Sequence, residues 1–327
     1  MRRWPIPALA LLLVALGALS LLAGAVWLSP RAVAAALADP APSLARLIVV
    51  ELRLPRLVLA LLVGGILGLA GAVLQGLLRN PLAEPGLLGI SSSASLGAVI
   101  AIYYGFAAHW ALATPLFALI GAGLTVALAL LLSRRGGTLA LILAGVALSS
   151  IAGAGISLAL NLAPSPFAAY EIMAWLMGSL ADRSWDHVLL AAPLIIVGGA
   201  LLILTGPALD ALSLGERQAE SLGVDLRRTR WLALVGTALG VGAATAVAGA
   251  IGFVGLIAPH LVRPLVGHQP RATLLPAALT GAAIVCAADN LTRLVKFGGD
   301  LKLGVFIAVV GAPFFLWLVL HVRRTAP

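Results

Sequence analysis

The chain has 327 residues, 61% hydrophobic and 10% charged, with a mean hydropathy of +1.10. Soluble domains carry about 25% charged residues, so this composition excludes a water-soluble globule and makes lipid the solvent. The net charge of +9 is spread as short arginine clusters between apolar runs, which reads as membrane topology and not as a nucleic-acid footprint.

The apolar runs are rich in Ala, Leu and Gly and lack the alternation of barrel strands, so they are expected to be helices. At about 20 residues per crossing, the chain has room for roughly ten. The fold class expected is all-α, a polytopic membrane protein forming one transmembrane domain over 1–327. Met1-Arg2-Arg3 has the basic start of a signal peptide. The apolar stretch then runs to Leu28, longer than a signal core of about 7–15 residues, and reads as a retained first span. The Ala-rich segment 32–38 imitates a cleavage site.

Crossings are expected at 7–28, 57–78, 92–108, 110–132, 139–160, 187–204, 231–250, 251–266, 272–291 and 303–320. The third and eighth are the least regular, the eighth carrying Pro259 and His260. With the N-terminus inside, 13 of the 21 Lys and Arg fall on inside segments and 8 outside. That bias keeps both termini cytoplasmic. The outside minority includes Arg53, Arg56 and Arg293.

Residues 70–89 (AGAVLQGLLRNPLAEPGLLG) align without gaps on 248–267 (AGAIGFVGLIAPHLVRPLVG). Shared positions include Leu78/Leu256, Pro81/Pro259, Leu87/Leu265 and Gly89/Gly267. The second and seventh spans are an odd number of crossings apart, so the copies run in opposite directions. This is an inverted repeat of spans 2–5 and 7–10, about 56–160 and 230–322, an arrangement common in transporters. The pairs Gly64/Gly68 and Gly236/Gly240 have the spacing that lets helices approach closely in lipid; lining a pore is the other reading.

Ion-coupled carriers place Asp, Glu, His or Lys within their spans. Here His187, His260, Arg263 and Asp289 lie near span ends, and Gln75 is neutral. Lys296 and Lys302 are far from any G-x-x-x-x-G-K-[ST] phosphate loop. The single cysteine, Cys286, permits no intrachain disulfide or thiolate cluster. The histidines (His109, His187, His260, His268, His321) show no metal-ligand spacing. Clustered carboxylates or a nucleophile set for a membrane enzyme are missing. The power source is therefore another polypeptide, or the protein is a passive pore.

The longest inside loop, 210–230, reads DALSLGERQAESLGVDLRRTR. Ser213 and Glu216 have capping-box spacing, Gly215 and Gly223 break helices, and Asp225 caps the next span. Two short helices outside the bilayer are expected, as a solvated connector or as a knob that a soluble motor grips.

The segments LRLPR (52–56), RNPLAEPGLLG (79–89), WLMGSL (175–180), GERQAESLG (215–223) and AGAIGFVGLIAPHLVR (248–263) resemble the FecCD-type permeases, which import ferric siderophores, haem and vitamin B12. The resemblance runs along nearly the whole chain. It implies a ten-span permease in a homodimer, with two cytoplasmic ATPase subunits and a periplasmic binding protein. The path would lie at the dimer interface, lined by spans five and ten. By matching position, Arg53, Arg56 and Arg293 resemble the arginines that dock the binding protein. The stretch 213–224, with Ser213, Leu214, Gly215, Glu216, Arg217, Ala219, Leu222 and Gly223, resembles the coupling helices. Asn80, Pro81 and Leu82 match the cytoplasmic gate, and Thr138 approximately matches its second half. Leu139 departs from the pattern, standing where the vitamin B12 importer's permease has another small polar residue. The resemblance implies no cofactor or metal on this chain, ATP and Mg being held by the partner, and a bacterial inner-membrane location. An iron complex is the expected cargo, with vitamin B12 or haem as alternatives and an ion-coupled transporter as the reading of another class.

Overall fold

The computed structural model describes residues 5–24, 26–110, 112–132, 137–295 and 300–325, with the backbone alone for 137, 138, 319 and 321–325. Among them the helices, in chain order, begin with α1 (Pro5–Leu22), α2 (Pro30–Ala38) and α3 (Leu44–Arg46). A π-turn over Leu47–Arg53 leads into α4 (Leu54–Leu77). A 3-10 turn (Pro85–Leu88) precedes α5 (Ile90–Tyr103), α6 (Phe106–His109), α7 (Ala113–Leu132), α8 (Gly137–Asn161) and α9 (Pro166–Leu176). There follow α10 (Trp185–Leu204), α11 (Gly206–Leu212), α12 (Glu216–Ser221) and α13 (Leu226–Ala248). Last come α14 (Val254–Val262), a 3-10 turn (Arg263–Val266), α15 (Pro270–Leu294) and α16 (Leu303–Thr325). No strand occurs among the described residues.

Seven of these helices are long and apolar enough to cross a membrane, and three shorter apolar ones complete the ten expected. The expected third and eighth spans are two of the short ones. Gly89 and Gly105, both left-handed, bracket α5. α14 has nine residues, a rise of about 14 Å against a hydrocarbon core of about 30 Å. Its start is set by Phe253 at φ 65°, so it is a half-length helix. Helices α2 and α9, each opened by a serine cap and a proline, lie in stretches that carry no span pattern, and the sequence reading missed both.

The centre of the molecule is α4, α13 and α15, whose apolar windows are 78%, 78% and 67% buried, against 22% for α8. Close approach explains the choice of residues. A Cβ on Gly64 of α4 would stand 2.7 Å from Ala282 Cα of α15, and one on Gly198 of α10 would stand 2.6 Å from the Gly240 nitrogen of α13. Gly64/Gly68 and Gly236/Gly240 are therefore packing positions, all buried, that let backbones touch and gain dispersion contacts.

The two aligned segments share their second halves. Both 3-10 turns fall at equivalent positions and both end on a left-handed glycine, Gly89 (φ 75°) and Gly267 (φ 70°). Their first halves differ: α4 continues to Leu77, whereas α13 stops at Ala248 and the chain re-enters a helix at Val254.

Candidate functional sites

At the end of the bundle where α4 begins and α15 ends, Arg53, Arg56 and Arg293 line one cavity of about 790 Å³ with Ser179, Asp182, Asp300, Lys302 and others. The resemblance gave these arginines one role on the outward face, and the fold places them around one cavity. It also gives them internal partners. Arg56 donates Nε to both oxygens of Asp289 (2.9 and 3.0 Å) and Nη2 to Oδ1 (2.8 Å). Arg293 approaches the same carboxylate at 3.8 Å and donates to Ser20 Oγ and Ser20 O, both 3.1 Å, and to Ala23 O. Arg53, 6% exposed, donates to the Leu21 and Val26 carbonyls. Two guanidinium groups thus satisfy carbonyls in the last turn of α1 and just beyond it, where cations also suit the helix dipole. Asp289 was passed over in the sequence as a span-end residue. Its signal is an acid four residues before Arg293 inside an apolar helix, where an uncompensated charge is expensive.

At the opposite end, the loop after α4 is folded by Asn80. Its Oδ1 accepts the Leu82 N–H at 2.9 Å, its carbonyl accepts the Ala83 N–H at 3.1 Å, and its own N–H reaches Gln75 O at 3.2 Å. Arg79, at φ 48°, makes the turn. Asn80 and Pro81 line a cavity of about 350 Å³ together with Gln75, Arg79, Ser213, Arg263 and His268. The loop named as a gate and the start of the loop named for coupling therefore share one cavity. Gln75, 3% exposed, accepts from Arg263 and donates to Gly255 O and Leu256 O at 3.4 Å, joining α4 to α14. The Thr138 side chain lies outside the described residues; its backbone is in the first turn of α8.

Glu84 closes the same loop. Burial pushes its carboxyl up from the ordinary carboxylate range, and the Phe253 backbone amide, at the N-terminus of α14, offsets this in part. Desolvation favours the neutral acid and the amide favours the anion.

Of the two short helices expected over 210–230, α11 ends at Leu212 and α12 lies within the loop, and together they make a compact knob with a different cap. The Ser213–Glu216 capping box does not form: Ser213 Oγ donates to Asp210 O at 2.6 Å, and α12 is entered through Gly215 at φ 113°. A backbone in that region is open to glycine and closed to serine. Gly223, at φ 84°, ends the knob, and Asp225 caps α13 by accepting the Arg228 N–H at 2.9 Å. Ala219 is fully buried, whereas Leu214 and Leu222 are 62% and 65% exposed. With Arg217, Gln218 and Ser221 they line a shallow groove. Arg230 of α13 pairs with Glu216 at 3.2 Å.

The profile of the FecCD transport family matches residues 12–321. The vitamin B12 import permease BtuC of Vibrio cholerae is 41% identical over 308 residues, 93% of this chain and 89% of that one. The Fe(3+)-citrate import permease YfmE of Bacillus subtilis is 37% identical over 313 residues, 95% of this chain and 93% of that one. A transporter described as of the metal-chelate ABC type, solved in an inward-facing conformation, superposes with a TM-score of 0.86 at 33% identity, covering 96% of this chain and 98% of that one. Such full-length agreement defines a polytopic permease of the kind that imports substrate under the power of a separate ATPase. The chain belongs to the FecCD transport family. It is the permease subunit of an ABC importer and a transport subunit rather than an enzyme, the family working with ATPase and substrate-binding partners.

Proposed function

We propose that the chain is one half of a homodimeric inner-membrane core that moves a ferric siderophore or another iron complex into the cell. Two cytoplasmic ATPase subunits hold ATP and Mg, and this chain holds no cofactor. Both termini are cytoplasmic, which puts the arginine end outside and the Asn80 and Ser213 loops inside. The observation that carries this reading is the knob around Gly215–Gly223. Two leucines exposed at 62% and 65% flank a groove on a segment outside the spans, an apolar patch that a protein partner would cover.

Ser213 to Gly223 then serves as the coupling segment, and Asn80, Pro81 and Leu82, with Thr138, as the cytoplasmic gate. On the outer face, Arg56 and Arg293, with side chains 20% and 12% exposed, present positive charge to acidic groups of the binding protein, while Arg53 fixes the end of α1. Guanidinium groups on such a face steer and orient an acidic partner. ATP closing the paired ATPases would pull the knobs and rock the helices about the dimer axis. Ion coupling has little support: Asp289, the buried carboxylate among the described span residues, is already neutralised by Arg56 and Arg293.

Likeness to a metal-chelate-type transporter favours the iron reading. Vitamin B12 is the second reading, favoured by the 41% identity to the Vibrio cholerae permease; haem falls within the same class of bulky cargo. The test is uptake into proteoliposomes holding the permease, its ATPase and its binding protein, offered ferric siderophore, haem or cobalamin. Vanadate-sensitive accumulation of an iron chelate is expected. Accumulation that follows a proton gradient and ignores vanadate would overturn the reading.

A further inference from the structure

Three glycines from three separate segments meet backbone to backbone beside the outer cavity, which Ser179 and Leu303 line. Gly178 (φ 70°) follows α9, Gly249 (φ 73°, ψ −167°) ends α13, and Gly304 lies at the start of α16. The Ser179 N–H donates to Ala248 O at 2.7 Å, and the Gly304 N–H donates to Gly178 O at 3.2 Å. A Cβ on Gly178 would stand 2.5 Å from Ala250 O, and one on Gly304 would stand 2.7 Å from the same oxygen. One on Gly249 would overlap Trp175 O. Each glycine is thus required by the main chain of another segment.

The other end of α13 is fastened to the knob. Val224 N–H donates to Ala219 O at 3.0 Å, Asp225 caps the helix, and Arg230 pairs with Glu216 at 3.2 Å. Between the two ends run 23 residues without proline, with 78% of the apolar window buried, a rod of about 35 Å. Side-chain contacts absorb small displacements by changing rotamer. Main-chain hydrogen bonds without that clearance move as a unit or break.

We infer that the Gly178–Gly249–Gly304 junction is the link through which displacement of the knob by the ATPase reaches α9 and α16 at the outward mouth. This rests on the permease reading given above. The three glycines, all buried, are positioning residues that act through α13.

The test uses the complete transporter in proteoliposomes. Gly249→Ala and Gly304→Ala lower ATP-driven uptake about tenfold, within the usual range of coupling between distant sites, while the ATPase still copurifies and basal hydrolysis stays within about twofold. Uptake within about twofold of the parent in both variants overturns the link. A second measurement leaves the junction intact. Phe167→Cys, at a site on α9 that is 77% exposed, is labelled with a membrane-impermeant maleimide; Cys286, 1% exposed, stays silent. Labelling is expected to differ between nucleotide-free and vanadate-trapped transporter, and to lose that difference with Gly304→Ala. Identical labelling in the two states, with the ATPase bound, overturns the link and leaves the permease reading standing. Failure of any ATPase to copurify with the unmodified chain overturns the permease reading itself.

Discussion

Arg56 grips Asp289 through two guanidinium nitrogens across 233 positions of sequence, joining the start of α4 to the end of α15. Asp289 is 2% exposed, and Arg293 adds a second cation at 3.8 Å. Removing one partner of a buried pair strands the remaining charge and costs about 3–5 kcal/mol. Asp289→Ala therefore lowers the thermal midpoint of detergent-solubilised protein strongly, and Asp289→Asn, which keeps an acceptor, lowers it less. Matching midpoints for parent and Asp289→Ala would show that the pair does not hold these helices together.

Arg53 tests whether the outer arginines act alike. Arg53→Ala leaves the part-buried Leu21 and Val26 carbonyls without their donor, a loss of about 0.5–1.5 kcal/mol for each hydrogen bond. Faster amide exchange at the end of α1 is expected. Affinity for the binding protein should fall more with Arg56→Ala than with Arg53→Ala, and the reverse order would assign docking to Arg53.

The knob makes a contrasting prediction. Leu222 is 65% exposed and Leu214 62%, so an acid at either position leaves the midpoint within about 0.5 kcal/mol of the parent's stability. Leu222→Asp should nevertheless abolish copurification of the ATPase and, with it, uptake. A variant that still retains its ATPase would move the contact elsewhere.

Glu84 gives a pH dependence. Burial raises its folded-state value above the unfolded one, so between the two values the folded state binds the extra proton. Stability from this group is present below the unfolded value and is lost as pH rises through the folded one. Midpoints measured from about pH 4, near the ordinary glutamate value, to neutral should fall more for the parent than for Glu84→Gln. Parallel curves for parent and Glu84→Gln would discard the linkage.

Two glycines separate crowding from composition. A Cβ on Gly71 would collide with the Gly255 main chain, 2.6 Å from its Cα, whereas one on Gly123 meets nothing within 4 Å. Gly71→Ala should destabilise by about 1–3 kcal/mol, as overpacking does. Gly123→Ala should be neutral or better in the same thermal assay.

The sequence alone determined the solvent, the helical class and ten apolar segments, because each depends on local composition that lipid reads one helix at a time. Gly215, Gly223 and Asp225 were legible for the same reason: helix breaking and capping are settled within a few residues. The tertiary structure alone decided that Asp289 neutralises Arg56, that Arg53 serves the end of α1, and that Ser213 turns back to Asp210 instead of capping α12. It alone brought Gly178, Gly249 and Gly304 together. Such pairings depend on which buried polar group or bare backbone a neighbouring helix offers, and in an apolar chain that choice is made by close packing between segments far apart in sequence.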